Sequence, residues 1–525
     1  MLTDPGSTTL DTPARRPWTR RGLLAGAAGA ATVAAGVAAT PAHADPAAAD
    51  GCCDVATHAD IAATTVPATR TFLRTAGHTT VGDGGDALYR KVSTEPAHEG
   101  KAQSADGAWW SLVYSDELRP QQFGARGDNS TDSTAAFQNL FDYVATLGPG
   151  VYAGATVHIP AGRYRVDPIT IAAPSCRVVG DGMLASRIAA RTAGQSHVLH
   201  FTSQSGNTEV RSLEIMGWGS TTEPAGFAGV GLRFDGSGPA IEDFRVSRCR
   251  TGIWITAGNS VDIRNGAIAT YTDVGLHIGG IADSPVSETR IDTIDVFSGA
   301  TGIQQDPDAY GGVGIKLDTD CRATVLENVS MGSNVVAIEV VDGLGLGNGR
   351  APGHVNVRRV NTGRNRDAGV WIKNNGGSFS AVASRFSADG SATGDGLRVD
   401  SENAGVLLYE CGWHWCRRSG IRVTNGGGVH VNGGTFRELG VPSGTPGVGV
   451  LVAGGDLSVT VQGANFESNL TEDTHSRVLG SAVHLESAYG GIADVVGCRV
   501  VDATATPLRN DSATATLNTA GNLVR

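Results

Sequence analysis

A four-residue pattern recurs along the sequence and constrains its fold more than any other feature. It consists of Gly or Ala, an aliphatic residue, a variable residue, and then an aliphatic residue or Phe. It reads Gly231-Leu-Arg-Phe, Gly252-Ile-Trp-Ile, Gly275-Leu-His-Ile, Gly314-Ile-Lys-Leu, Ala337-Ile-Glu-Val, Gly369-Val-Trp-Ile, Gly396-Leu-Arg-Val, Gly420-Ile-Arg-Val, Gly449-Val-Leu-Val and Ala482-Val-His-Leu. The shortest spacings are close to one value, for example 21 residues from 231 to 252 and 24 from 396 to 420.

A repeat of about 22 residues is too short to bury its own apolar side chains, so successive copies must stack. Alternating apolar positions predict strands with one buried face. We therefore expect an all-β protein, a parallel β-helix. The leucine-rich consensus is absent from the sequence. The spacing is also shorter than the blade of about 40 residues that a β-propeller requires.

The segment before the repeat carries a recognisable motif. It runs from Gln122-Phe-Gly-Ala-Arg-Gly-Asp128 through an amphipathic pattern that starts at the N-cap candidates Asp132 and Ser133. Val157-His-Ile-Pro-Ala-Gly-Arg-Tyr164 and Val179-Gly-Asp-Gly182 follow. These residues resemble the N-terminal signature of the pectate-lyase-like superfamily, which includes rhamnogalacturonase-, polygalacturonase- and epimerase-type proteins and phage tailspikes. The resemblance implies a right-handed parallel β-helix of three strands per turn.

Three segments follow from these patterns. Residues 1–44 read as a twin-arginine signal peptide, with Arg20-Arg21, a weakly apolar run and the small-x-small site Ala42-His-Ala44. Residues 45–118, with Trp109-Trp110, resemble the small module that precedes such β-helices in tailspike-like proteins. Residues 119–525 form the predicted β-helix, closed at its first turn by a capping helix at about 132–147.

The signal predicts a protein exported by twin-arginine translocation that works outside the cell or at its surface. A net charge of −11 argues against nucleic-acid partners, because phosphate binding requires a basic surface. No apolar run of about 20 residues follows the N-terminus, so no membrane association is expected after cleavage. We expect a monomer or a homotrimer.

The cysteines and acidic residues do not form an evident metal motif. Cys411-Gly-Trp-His-Trp-Cys416 lacks a second ligand pair at zinc-site spacing, so a local disulfide or buried thiols are expected. No cofactor is expected. Some pectate-lyase relatives use calcium, so a calcium site formed by Asp306, Asp308 and Asp273 is kept as an alternative. The sequence has no ordered ligand motif for it.

The catalytic candidates follow from the resemblance. Polygalacturonases carry Asp-Asp and Gly-His-Gly motifs, and this sequence has neither, so standard pectin hydrolysis is not supported. In the family, catalytic residues lie in or just before the repeated strand, which points here to Asp273, Asp367, Asp395 and Arg418. Asp367 and Asp395 lie on consecutive predicted turns, close enough for two carboxylates to split their pKa values into an acid and a base. The alternative is that Asp before Gly is only a turn preference.

The variable position of the repeated tetrad points outward and collects cations and aromatic rings. We expect Trp254, His277, Lys316, Trp371, Arg398 and Arg422 to form a stripe that binds a long acidic polysaccharide, with His414 and Tyr310 beside it. Aromatic faces can stack on sugar rings, and arginine forks can bind carboxylates. The competing interpretation is a solvated strand face.

These features predict a secreted, carbohydrate-active enzyme that cleaves an extracellular polysaccharide. Hydrolysis and lyase elimination are both open, and a lyase would need a base such as Arg418, Arg422 or His277. A non-catalytic glycan-binding or adhesin-like β-helix is one alternative, and a uronate epimerase is another.

Overall fold

The computed structural model describes residues 52–148, 154–219, 226–281, 284–298, 311–318, 321–341, 353–373, 377–401, 404–425, 428–442, 444–468 and 477–525. The predicted signal peptide lies outside these residues, as does Tyr310 with Asp306 and Asp308. Residues Asp50–Arg525 form one compact unit. None of the helices in the described ranges is both long enough and apolar enough to cross a membrane.

The main body is a right-handed parallel β-helix, as the sequence predicts. Each turn contributes one strand to each of three parallel sheets. Sheet 1 contains Thr156–Ile159, Arg177–Gly180, Gly258–Asn259, Cys321–Glu327, His354–Arg358, Ser378–Val382, Gly405–Tyr409, Gly428–Asn432, Ser458–Gln462, Ile492–Val496 and Thr516–Ala520.

Sheet 2 follows sheet 1 in every turn. It contains Asp128–Asp132, Gly162–Val166, Ser186–Ala190, Ser330–Gly332, Asn361–Thr362, Arg385–Ala388, Gly412–Cys416, Thr435–Arg437, Asn465–Glu467, Arg499–Val501 and Leu523–Val524.

Sheet 3 holds the strands of the repeated tetrad. It contains Ile169–Ile171, His197–Phe201, Ala228–Phe234, Gly311–Leu317, Asn334–Val340, Ala368–Lys373, Asp395–Asp400, Ser419–Asn425, Gly447–Val452, Leu479–Leu485 and Leu508–Asn510. Four long strands bend around corners and serve more than one sheet: Glu209–Met216, Ala240–Ile255, Asp262–Ile278 and Val286–Phe297.

The second residue of the tetrad forms one inward column. The residues pair in register from turn to turn, and every one of them is fully buried: Ile253, Leu276, Ile315, Ile338, Val370, Leu397, Ile421 and Val450. Stacked rings fill another part of the interior, where Trp413, Phe436 and Phe466 lie 4.2 and 4.4 Å apart between successive ring centroids. The core is therefore a set of side-chain columns along the axis.

The tetrad begins with glycine because the next turn passes very close to it. A Cβ built on Gly252 would lie 2.5 Å from the carbonyl oxygen of Gly275, and one on Gly396 would lie 2.7 Å from that of Gly420. Both contacts are with backbone, which cannot move aside cheaply. Sharp corners between sheets 1 and 2 use a different device, a residue in the left-handed conformation such as Asn328 with φ 54°.

The motif near residue 160 holds the first turns together. Asp181 accepts a hydrogen bond from the backbone N–H of Ala161 at 2.8 Å and lies 2.7 Å from Nε2 of His158. Tyr164 is fully buried and packs edge-on against Phe137 of the helix Thr134–Thr146. The segment from Val157 to Tyr164 therefore has a structural role, and it seats the helix on the first turn.

The small N-terminal module is a five-stranded sheet. Its order is Cys52–Val55, Phe72–Thr75, Ala87–Val92, Trp109–Leu112 and Lys101–Gln103, with the first pair parallel and the others antiparallel. A short α-helix, His58–Ile61, and a 3₁₀-helix, Pro120–Phe123, complete this region. Trp110 is fully buried and donates from Nε1 to Ser104 Oγ at 3.0 Å, so its ring packs inside the module.

Candidate functional site

The outward residues of sheet 3 form a continuous row along the β-helix. Strand register pairs each member with the next: His200, Arg233, Trp254, His277, Lys316, Glu339, Trp371, Arg398, Arg422, Leu451, His484 and Arg509. We call this set the sheet 3 row. Adjacent members are separated by one strand spacing of about 4.8 Å. The six tetrad residues chosen from the sequence as substrate ligands all belong to it.

A line of carboxylates runs beside the sheet 3 row, two residues further along the same strands. Asp235, Asp318, Asp400 and Asp511 are its members. Each pairs with the cation two positions before it: Arg233 at 2.9 Å, Lys316 at 2.6 Å, Arg398 at 2.6 Å and Arg509 at 2.6 Å. We call these residues the flanking carboxylates. They neutralise much of the positive charge that the sequence pattern suggested.

Each flanking carboxylate also binds a ring from the preceding turn. The Nε2 atoms of His200, His277 and His484 lie 2.7, 3.1 and 3.0 Å from Asp235, Asp318 and Asp511, respectively. Trp371 takes the same place at Asp400, donating from Nε1 at 2.8 Å. A three-residue unit of ring, cation and carboxylate thus recurs along the sheet. These carboxylates are not among the site residues predicted from the sequence, although the recurring cation-x-Asp spacing is a signal that could have identified them.

The two tryptophans of the sheet 3 row do not offer free faces to a sugar. Trp254 stacks on His277 with centroids 5.2 Å apart and planes 3° from parallel, while the Arg233 guanidinium covers its other side at 5.0 Å. The Trp371 ring is covered by Arg398 at 4.1 Å and Lys373 at 3.8 Å. In-register stacking aligns neighbouring side chains face to face, so sugar stacking would require one of these groups to be displaced.

Arg422 differs from the other cations of the sheet 3 row. Among the described residues no carboxylate lies within ion-pair distance of its guanidinium. Its pKa is lowered by partial burial and by the positive charges of Arg418 and Arg398, while the carboxylates of Asp395 and Asp400 act in the opposite direction. A partly desolvated arginine without an ion-pair partner stabilises a bound anion more than a solvated one would. Arg422 is therefore the cation of the sheet 3 row that is most available to an anion.

Asp395 and Arg418 form an ion pair at the corner before sheet 3. The Asp395 side chain is fully buried and accepts from Arg418 Nε at 2.9 Å and from Ser419 Oγ at 2.6 Å. The Arg418 Nη2 atom binds the second carboxylate oxygen. Asp395 lies two residues before the inward Leu397 on the same strand. Side chains two residues apart on a strand share one face, and this explains the burial of Asp395. The carboxylate is held by protein groups and does not face the sheet surface.

The other acidic candidates are paired separately. Asp367 binds the neighbouring Arg366 with Nη2 at 3.0 Å, and its backbone carbonyl accepts from the Asp395 N–H at 3.0 Å. Asp395 pairs in register with Ala368. Asp367 is therefore one position before the residue that aligns with Asp395, and the two carboxylates are not side by side. Asp273 pairs with Arg250 at 2.8 Å. The acid–base pair expected from consecutive turns is therefore not assembled in this arrangement.

The remaining candidates lie elsewhere. His414 is on the sheet 2 strand Gly412–Cys416 and therefore not on sheet 3, and burial lowers its pKa to about 4. Cys411 and Cys416 are buried free thiols, as are the other cysteines with described side chains, Cys176, Cys249, Cys321 and Cys498. Within the described ranges, no group of three His, Cys, Asp or Glu side chains is arranged to hold a metal ion.

The family comparison matches the N-terminal turns. Residues 121–223 match the family described as rhamnogalacturonase A/epimerase, pectate lyase-like. No curated protein sequence matches the chain.

Three solved structures show the same architecture. The A-module of the mannuronan C-5 epimerase AlgE6 from Azotobacter vinelandii has a TM-score of 0.50 at 14% identity, covering 78% of this chain and 99% of that one. A tailspike of Acinetobacter baumannii bacteriophage Fri1, a capsular polysaccharide depolymerase, has a TM-score of 0.51 at 13% identity, with 79% and 74% covered. The pre-mature gene product 12 of bacteriophage phi29 has a TM-score of 0.53 at 14% identity, with 78% and 56% covered, so this chain spans little more than half its length. These likenesses show the fold.

Proposed function

We propose that this protein binds a long acidic polysaccharide along the outer face of sheet 3, outside the cell. The observation that carries the proposal is Arg422, a partly buried arginine without a carboxylate partner among the described residues, in the middle of an in-register row. The chain has a net charge of −11, so one unpaired arginine does not increase the size of its net charge and is not explained by solubility. A bound carboxylate or sulfate would supply the missing counter-charge.

The architecture supports a polymer as the ligand. Identical spacing from turn to turn presents polar groups at regular intervals over a long, rigid surface, and solenoids use such surfaces for extended ligands. The matched family is described by rhamnogalacturonase and epimerase activities, and the matched solved structures include a polysaccharide epimerase and a polysaccharide depolymerase. Export through the predicted twin-arginine signal would bring the protein to extracellular glycans.

Catalysis on the bound glycan is the second candidate function, and the His277–Asp318–Lys316 unit favours it. Asp318 holds His277 Nε2 at 3.1 Å, and no hydrogen bond to the second ring nitrogen is found among the described residues. A neutral imidazole oriented in this way can accept a proton, as elimination next to a uronate carboxylate or epimerisation would require. Hydrolysis by the Asp367–Asp395 pair has less support, because Asp395 is buried in its ion pair.

A panel of purified polysaccharides tests both functions. Uronic-acid polymers and neutral polymers of similar length are titrated at low and moderate salt, and the mixtures are then assayed for new reducing ends, for absorbance of unsaturated uronates and for product stereochemistry. Salt-sensitive binding to acidic polymers alone supports the binding proposal. Any product that disappears in a His277→Gln variant supports catalysis. Absence of binding to every acidic polymer would contradict the proposed function.

A further inference from the structure

A second positively charged site lies on sheet 2, near the start of the β-helix. A pocket of about 280 Å³ is lined by Arg163, Arg165, Trp218, Gly219 and Arg248. Arg163 and Arg165 are two residues apart on the strand Gly162–Val166, whereas Arg248 follows three turns later at a corner. The left-handed conformation of Arg248, with φ 60°, places it at that corner. Three arginines from two turns thus line one cavity.

The pocket arginines are fixed by uncharged groups. Arg165 donates from Nη1 to the Ala190 carbonyl at 2.9 Å and lies over the Trp218 ring at 5.7 Å. Arg248 donates from Nη1 to the Gly219 carbonyl at 2.7 Å. Arg163 Nη2 lies 3.0 Å from the Met216 sulfur, and its Nε is buried without a partner. In the described part of the chain, none of the three makes an ion pair.

The nearby carboxylates are already occupied. Glu214 is buried and binds Arg187 and Arg245, each at 3.2 Å, one through each oxygen. Asp128, on the neighbouring strand, accepts hydrogen bonds from Ser130 and Thr131 in its own turn.

Asp132, on the same strand as Asp128, accepts hydrogen bonds from Thr134 and lies 3.4 Å from Arg191. Among the described residues, none of these carboxylates forms an ion pair with a pocket arginine. Burial, and then repulsion from neighbouring arginines, lowers the pKa values of Arg163 and Arg165, and Glu214 offsets part of this effect at Arg163.

We propose that Arg163, Arg165 and Arg248 bind an oxyanion, the carboxylate or sulfate of a single sugar-sized group, with Trp218 as one wall of the pocket. Guanidinium forks match planar and tetrahedral oxyanions through paired N–H donors. The volume is below the range of about 300–1,000 Å³ that holds drug-sized ligands, so one small anionic group is the fitting occupant. This site is on a different sheet from the sheet 3 row and does not rest on the proposed function.

The test titrates the purified full chain with sodium glucuronate, sulfate and phosphate, with ionic strength held constant by chloride. Calorimetry measures affinity, and tryptophan fluorescence reports on Trp218, whose signal is removed in Trp218→Phe. We expect saturable binding of at least one of these anions, weakened at least tenfold in Arg163→Gln and in Arg165→Gln. Preference for glucuronate would identify a glycan carboxylate as the natural occupant, and preference for sulfate or phosphate would identify a tetrahedral anion.

Two controls keep the result interpretable. Arg358→Gln makes the same charge change at an exposed arginine of sheet 1 and should bind as the wild type does. Loss of the anion-dependent fluorescence change in Trp218→Phe assigns the binding to the pocket and separates it from the sheet 3 proposal. If Arg163→Gln does not fold, Arg248→Asn replaces it, since Asn tolerates the left-handed backbone. No saturable binding of any of the three anions, or equal binding in the pocket variants, would overturn the proposal.

Discussion

The Arg418 guanidinium holds the fully buried Asp395 carboxylate, with Nε donating to Oδ1 at 2.9 Å, at the corner where one turn enters sheet 3. Ser419 Oγ adds a third hydrogen bond. The arrangement satisfies a charge that would otherwise be expensive to bury. It gives this acidic residue a structural role at the edge of the proposed binding face, and its consequences can be measured.

Asp395→Asn should destabilise the fold, because it leaves the partly buried Arg418 without its counter-charge. Removing one partner of a buried ion pair costs about 3 kcal/mol. Urea denaturation followed by circular dichroism measures the change in the free energy of unfolding. The double variant Asp395→Asn/Arg418→Gln should recover part of the loss. A stable Asp395→Asn protein that has lost a measurable activity would instead assign Asp395 to catalysis.

The inward column predicts a second stability effect. Ile421→Asp places an unpaired carboxylate between Leu397 and Val450 and should cost more than about 4 kcal/mol. Ile421→Val, which removes one methyl group from the same site, should cost about 1 kcal/mol. Urea midpoints compare the two variants. Similar stability of Ile421→Asp and wild type would contradict the stacked column.

The interior and the outward row were predictable from sequence, because a strand period of two and a repeat of one turn fix which residues share a face. Asp395 lies two residues before the inward Leu397 on the same strand, so its burial follows from the strand period as well. Its position before a glycine suggested a turn instead. The covered faces of Trp254 could not be read from sequence, since they depend on in-register contacts with Arg233 and His277. The sheet 2 pocket was equally hidden, because it joins residues from separate turns through the left-handed corner at Arg248.

The tryptophan contacts lead to a prediction about stability rather than binding. Trp254→Ala removes the stack on His277 and the cation–π contact with Arg233, and should lower the free energy of unfolding by about 2 kcal/mol. Because both faces of the ring are covered, affinity for an acidic polysaccharide should be unchanged. Trp254→Phe should restore much of the stability. Weaker polysaccharide binding by a folded Trp254→Ala protein would show that the ring contacts the glycan directly.

Buried histidines predict how stability depends on pH. Burial lowers the pKa values of His58, His197 and His414 to about 4. The unfolded chain takes up these protons near the ordinary pKa of about 6.5, whereas the folded chain does so only near 4. Stability should therefore be highest above pH 6.5 and fall between pH 6.5 and 4.

The contribution of one histidine can be isolated. His414→Gln should make the decline in the urea midpoint between pH 6.5 and 4 shallower than in the wild type, because one site of proton uptake by the unfolded chain is removed. An identical decline in both proteins would contradict the low pKa assigned to His414.

The affinity of Arg422→Gln for an acidic polysaccharide tests the central claim most directly. The measurement compares this variant with Arg358→Gln, which makes the same charge change on sheet 1, in calorimetric titrations against the acidic polymer that binds the wild type best. Loss of a charge-assisted contact is worth about 1.5–3 kcal/mol, so Arg422→Gln should bind at least tenfold more weakly while Arg358→Gln binds like the wild type. Equal affinities in all three folded proteins would contradict the assignment of sheet 3 as the polysaccharide-binding face.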